Sequence, residues 1–417
     1  MVTDTLATGH RPVPAGVARR PGDRSRLRSA AVLLWVPAVA FALFFVSANA
    51  TGWATNYSLA AASQANDGVV IIGPYVALAA AWEMGALRSL WGRLPVRRPW
   101  WRVLIGRLAL VLGCGLAAMG TLYGVLGHLT LLTDFPGWSL PLISAISVLC
   151  WSLFGAAVAL IFRPLVALPV ALIAPFLVIS LPQGWSPLWL RHLNGYLSDC
   201  CSTTDVLDSR AVTASIGFLG AIAVCALAVI AVRLVHDPRR APATAAVALT
   251  VAGVAVLGAW ALITPASQLG PLPTATRPLA QLDCAHDVCL WPEDKIYRDA
   301  NQTGWDQVQA SWRTLGLPLK TTRIGPVTTP TLLGVTVTTD STDQVRASMA
   351  SLLPRALLGC QDDYTDQNRN DALAELAYLT LNGTGHPNPL VTPLPPNQPP
   401  PTAADAARLW SNVRACS

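Results

Sequence analysis

Few residues in this chain have the types and spacing that chemistry requires. The densest group is Cys284 to Glu293, CAHDVCLWPE. Cys284, His286 and Cys289 are three of the four ligands a structural zinc site takes, with Asp287 a poor fourth. The same two cysteines could instead close a small disulfide loop in an oxidising compartment, and the disulfide is the reading preferred. Glu83 is the second candidate, the one acid placed inside a long apolar run. An ionisable group at that depth usually serves function, although a place near the boundary would let it reach water, Arg88 or Arg107. Enzyme patterns are missing: there is no HExxH, G-x-S-x-G or G-x-G-x-x-G, and the histidines at 10, 128, 192, 236, 286 and 386 form no helical pair. The two lysines, Lys295 and Lys320, are not preceded by the glycine a P-loop needs. No enzyme activity, metal or cofactor is expected of the chain itself.

These groups must be positioned by an unusually apolar polypeptide. Of 417 residues, 53% are hydrophobic and only 12% charged, with a mean hydropathy of +0.45. A soluble domain carries about 25% charge, so the composition points to a membrane. Residues 1–264 hold 18 Lys/Arg against 9 Asp/Glu, whereas residues 265–417 hold 11 against 14. The basic excess belongs to the apolar half, as loops facing anionic lipid require. No basic stripe is interleaved with aromatics, so nucleic acid is not an expected partner.

Residues 1–29, with six arginines from Arg11 to Arg28, read as a disordered basic cytoplasmic tail. Seven apolar runs follow, near 30–50, 69–87, 108–127, 140–162, 165–181, 211–232 and 243–263, the first of them long enough to span about 30 Å of hydrocarbon. The first ends in SANA but is long for a signal peptide, so an uncleaved helix is expected. With the tail inside, the inner segments carry 15 arginines and the outer ones two, Arg191 and Arg210. An odd number of spans then places everything after Ile263 outside. The expectation is an α-helical polytopic membrane protein of about seven transmembrane helices (residues 30–264), with a small extracytoplasmic α+β domain (281–417). The host would be a bacterial cell membrane.

Proline-rich 265–280 reads as a linker. Beyond it, Trp305–Leu315, Asp343–Leu358, Asp371–Leu381 and Ala403–Ala415 have helical spacing, and Thr321–Thr339 suggests a hairpin. Six of nine cysteines, Cys200, Cys201, Cys284, Cys289, Cys360 and Cys416, fall outside, an even number that reads as disulfides. Cys284–Cys289 needs a short loop, and Cys360–Cys416 would tie the domain to its C-terminus. Adjacent Cys200 and Cys201 are hard to pair with one another, so one of them could bridge to the outer domain. Cys114, Cys150 and Cys225 lie within spans as small apolar side chains. Gly120 and Gly124, with Gly113 and Ala117 earlier, are expected to let helices pack closely rather than to mark a defined dimer seam.

The segment from Trp82 to Arg102, WEMGALRSLWGRLPVRRPWWR, begins as a membrane helix and continues as a basic, tryptophan-bearing surface helix. It resembles the coupling region of ABC-2-type transporter permeases in Glu83, Gly85-Ala86-Leu87, Leu90 and Pro95-Val96-Arg97. It departs in having alanine for the usual threonine, Arg88 for the usual acid and one extra residue before the proline. The resemblance covers about residues 30–235, and a cysteine-bearing outer domain is similar to that of actinobacterial ABC-permease-like proteins. It implies a permease subunit in which Glu83, Gly85, Arg88, Pro95, Arg97 and Arg98 couple to a separate ATPase subunit. It also implies a second membrane half, either a homodimer or a sister permease. ATP would be bound by the partner. In the family the outer connection, here 182–210, holds short re-entrant helices, and WSPLWLRHLNGYL has the composition to do the same. The competing expectation is a membrane-anchored extracytoplasmic binding or sensory protein without transport activity, although seven spans are more than an anchor needs.

Overall fold

The structure is a computed structural model that describes residues 38–44, 57–91, 100–129, 137–197, 200–234, 241–319, 321–358, 367–382 and 402–414. Its first part is a bundle built from α1 (Ser58–Asn66), α2 (Val69–Trp91), α3 (Trp100–Leu129), α4 (Ser139–Ile161), α5 (Pro164–Ser180), α6 (Ser209–Leu234) and α7 (Ala241–Ile263). Among the described residues, six helices are long and apolar enough to cross a membrane, with α1 and α2 counted as one. The predicted first run, 30–50, lies mostly outside the described residues. Its helical part, 38–44, sets Ala42 in the bundle core.

Two boundaries differ from the sequence expectation. The second span begins before Val69, because α1 joins α2 through a tightened turn. There Asp67 N bonds Gln64 O at 3.1 Å and Gly68 N bonds Ala65 O at 3.2 Å, the i→i−3 spacing of a 3₁₀ turn. Trp100 and Trp101 open α3 rather than belonging to a surface helix, so α3 starts before the expected Leu108. Proline at N1 starts α5 after extended Arg163, where its missing N–H is not needed.

Small residues set the helix spacing. A Cβ on Gly155 of α4 would lie 2.0 Å from Ala77 O of α2, so these backbones touch. The stripe expected to pack closely meets no neighbour among the described residues: at Gly113, Gly120 and Gly124 of α3 an added Cβ would find nothing within 4 Å. The packed side of α3 is instead the large one, with Leu104, Leu108, Val111, Leu122 and Leu126 buried.

The helices run back and forth, so their connections gather at two ends. At one end lie the segments after α5 and α7. The 182–210 connection forms two 3₁₀ turns, Leu181–Gly184 and Leu188–His192, in place of re-entrant α-helices, and then β1 (Asp205–Leu207). Strand β2 (Thr274–Thr276) pairs antiparallel with β1, Val206 opposite Ala275, and Ala266 and Leu269 are buried against α6. The expected linker 265–280 is therefore docked chain, held by a ladder and an apolar contact.

The C-terminal domain follows. Strands β3 (Asp283–Ala285), β4 (Val288–Leu290), β5 (Ile324–Gly325) and β6 (Leu333–Gly334) form one sheet in that order. Helices α8 (Arg298–Thr314), α9 (Thr342–Leu358), α10 (Gln367–Asn382) and α11 (Ala403–Arg414) complete it. Strands β5 and β6 pair in parallel, not as the expected hairpin. The intervening chain, with prolines at 326 and 330, turns through a bridge between Thr329 and Leu332 and rejoins on the same heading. The domain has its own core, in which Trp305, Trp312, Leu290, Val345, Met349 and Leu376 are buried.

Candidate functional site

At the bundle end away from the C-terminal domain, Glu83 of α2 faces Arg107 of α3, Oε2 to Nη1 at 3.6 Å. The carboxylate side chain is 17% exposed and the arginine 37%, so the pair is half-sheltered and reaches the bundle surface. Arg107 is one of the partners anticipated for Glu83. Gly85 has no neighbour where a Cβ would stand, which leaves that face of α2 open. Arg88 lies on α2, whereas Pro95, Arg97 and Arg98 lie outside the described residues. Nearby, the Arg102 guanidinium sits 5.0 Å over the ring of Trp101.

At the domain-bearing end a polar network is buried among α1, α3 and α4. Asn66 Nδ2 donates to Ser144 Oγ at 3.0 Å, and the Tyr123 hydroxyl meets the same oxygen at 3.0 Å. Asn66 Oδ1 accepts from Leu197 N at 3.0 Å, and Ser63 Oγ donates to Leu197 O at 3.1 Å and contacts Cys200 O. The non-helical chain at 194–197 and at Cys200 is thus held by side chains that replace missing backbone partners. Sequence reasoning missed these residues. The available signal was Asn66-Asp67-Gly68, a polar triplet leading straight into an apolar run.

Arg277 forms the junction between bundle and domain, and it too was passed over, in a stretch read as linker. It is 7% exposed and lies between two rings, 4.7 Å from Tyr57 and 4.2 Å from Trp291. Its guanidinium pairs with Glu293 at 2.5 Å and donates to Thr203 O at 3.2 Å and to Gln281 Oε1 at 2.8 Å. A flat, delocalised cation suits this stacked and forked geometry in a way lysine would not. Beside it, burial, reinforced by Glu293 and opposed by Arg277, pushes the Asp294 carboxyl up to about 6. Burial also raises the Tyr57 hydroxyl, against the pull of Arg277. On the outer side of the hairpin, Lys295 holds Asp283 below the usual carboxylate range.

The cysteine expectations divide. Cys284 and Cys289 face each other across β3 and β4 with their sulfurs bonded, and His286 takes φ 52° in the turn between them. The pairing removes both thiolates from metal ligation. Among the described residues no group of three His, Cys, Asp or Glu could hold a metal. Cys200 and Cys201, one of which could have bridged to the outer domain, lie side by side with their sulfurs in contact, packed on Tyr57 and Ala60. Cys360 and Cys416 lie outside the described residues. Cys114, Cys150 and Cys225 are free.

Comparison with known proteins returned no matching family model, curated protein or solved structure.

Proposed function

We propose that the chain is an integral membrane permease subunit of an ABC-2-like transporter, an exporter working with a separate ATPase subunit. The observation that carries this reading is the Glu83–Arg107 pair, which joins α2 and α3 at the end where the arginine-rich 92–99 segment connects them. A push on that segment would be felt by both helices through the pair. The exposed side chains of α7 lend support to a membrane setting: Leu249 is 75% exposed and Leu257 72%, which in water would form an unsuitable apolar face. In this arrangement the six long helices and the 30–50 run cross the bacterial cell membrane. The N-terminus and the Glu83 end are cytoplasmic, and the disulfide-bearing domain lies outside. The ATPase docks on 88–102, and a homodimeric or sister half completes the passage, which works by alternating access.

Purification from the native host in mild detergent tests this. An ATPase should co-purify, and charge reversal at Arg97 and Arg98 should release it. Retention of the ATPase by that variant would remove the docking surface, and absence of any ATPase would remove the transporter reading.

A second reading, a membrane-anchored binding or sensory protein, is favoured by one observation. The C-terminal domain has a core of its own and meets the bundle through Arg277 rather than through a shared apolar cluster among the described residues. An ATPase gene adjacent to this one favours the first reading over the second.

A further inference from the structure

At the domain-bearing end of the bundle, a groove of about 270 Å³ opens between the last turns of α5, the two 3₁₀ turns and α6. Leu177, Leu181, Trp185, Leu190, Leu193 and Phe218 form its wall. Asn194 is the one polar side chain of the lining, and it is already used: Nδ2 donates to Ile179 O at 2.7 Å, and Oδ1 accepts from Tyr196 N at 2.9 Å. The groove therefore offers a ligand apolar contact and no hydrogen bond from its floor.

A cation stands at its border. Arg191 follows Leu190 on the second 3₁₀ turn and donates from Nη2 to Gln183 O at 2.8 Å, stitching together the two turns that form the wall. The other arginines of this end have carboxylates, Arg210 with Asp208 at 2.8 Å and Arg277 with Glu293. Among the described residues no carboxylate pairs with Arg191, and its Nε is buried without a partner. Trp185 and Leu188, both exposed, flank the same segment, as side chains at a headgroup boundary do. The apolar cleft and a guanidinium with no carboxylate partner among the described residues together complement one kind of molecule, an anionic amphiphile.

We propose that this groove binds the acyl chain of an anionic phospholipid, with Arg191 pairing its headgroup phosphate. The site rests on the membrane placement proposed above and adds a specific lipid to it. Arginine suits the phosphate because its fork can bond two oxygens at once.

The test uses the full chain reconstituted in phosphatidylcholine vesicles doped with phosphatidylglycerol carrying a diazirine on its acyl chain. Photolabelling mapped by mass spectrometry should mark residues 177–194 and the peptide holding Phe218 several-fold more heavily than α7, which reports ordinary surrounding lipid. Leu177→Trp, at a partly exposed wall position, should fill the groove and cut that labelling while leaving α7 unchanged. Arg191→Gln should erase the preference for the phosphatidylglycerol probe over a phosphatidylcholine probe of the same chain. Equal labelling of groove and α7, or an undiminished preference in Arg191→Gln, would overturn the lipid site alone. An unlabelled α7 would overturn the membrane placement, and the lipid site with it.

Discussion

The two cores of this molecule are built on opposite plans. The bundle core is dominated by alanine, glycine and aliphatic side chains, and its tightest contact is backbone on backbone, Gly155 against Ala77. The C-terminal domain core is mostly leucine and valine with few alanines, and two tryptophans are set within it. Trp305 and Trp312 are wholly buried, their indole N–H groups donating to Thr322 O at 2.7 Å and Pro318 O at 3.1 Å, and Trp410 packs edge-on against Trp312. Burying large rings is the strongest lever available where water surrounds the fold. Where lipid surrounds it, apolar area gains nothing by leaving the solvent, and close approach through small residues takes over. Each core has the composition that its proposed solvent rewards.

The largest expected effect breaks the bundle side of that contrast. Gly155→Val places methyl groups where Ala77 O already stands, and overpacking of this kind costs about 3 kcal/mol or more. Size-exclusion chromatography in detergent should show loss of folded protein. Gly124→Val, added where nothing lies within 4 Å, should elute as the parent does. On the other side, Trp312→Ala should destabilise the C-terminal domain by about 3–5 kcal/mol, read as faster proteolysis of that domain within the full chain. Equal damage from both glycine variants would erase the contrast.

The next effects act on the seam. Arg277→Met removes a buried cation and leaves Glu293 without its partner, a loss of about 3–5 kcal/mol for a buried pair. Hydrogen exchange should rise in 200–208 and 274–281 while the α8 amides stay protected. The smallest effect is one of pH. Because the Asp294 carboxyl is pushed above its ordinary value, to about 6, the folded form holds the proton more tightly than the unfolded chain. Stability therefore falls as pH rises towards and through 6. Domain melting should show a loss of about 1 kcal/mol between pH 5 and pH 7, and Asp294→Asn should flatten that dependence.

The helices were readable because their signal is local. A run such as Ser139–Ile161 is apolar throughout, and α9, α10 and α11 begin and end within a few residues of the periodic segments, whereas α8 starts at Arg298, well before the expected Trp305. The Cys284–Cys289 disulfide was equally legible, since so short a loop brings the two positions together, although the hairpin that carries it was not expected there. What escaped was set at a distance. Asn66 and Leu197 meet across more than a hundred residues, and nothing near Asn66 announces that it will cap an irregular loop. Arg277 looked idle among prolines because Tyr57, Trp291 and Thr203 reach it from three separate segments. The small-residue stripe of α3 misled because spacing fixes which residues share a face but not which face is covered.

The join between α1 and α2 gives the molecule a tie-rod. Tyr57, immediately before α1, rests on Arg277, and Glu83 lies near the opposite end of α2, about 39 Å away at helical rise. Between them the hydrogen bonds carry on across Asp67 and Gly68 and lapse at Pro74, which has no N–H to give. Tension or thrust applied at Glu83 is therefore delivered to the domain's anchoring cation along a single strut. The Asp67–Gly68 turn, with its tighter pitch, and Pro74, with its missing bond, are the places along that strut where the load can be shed.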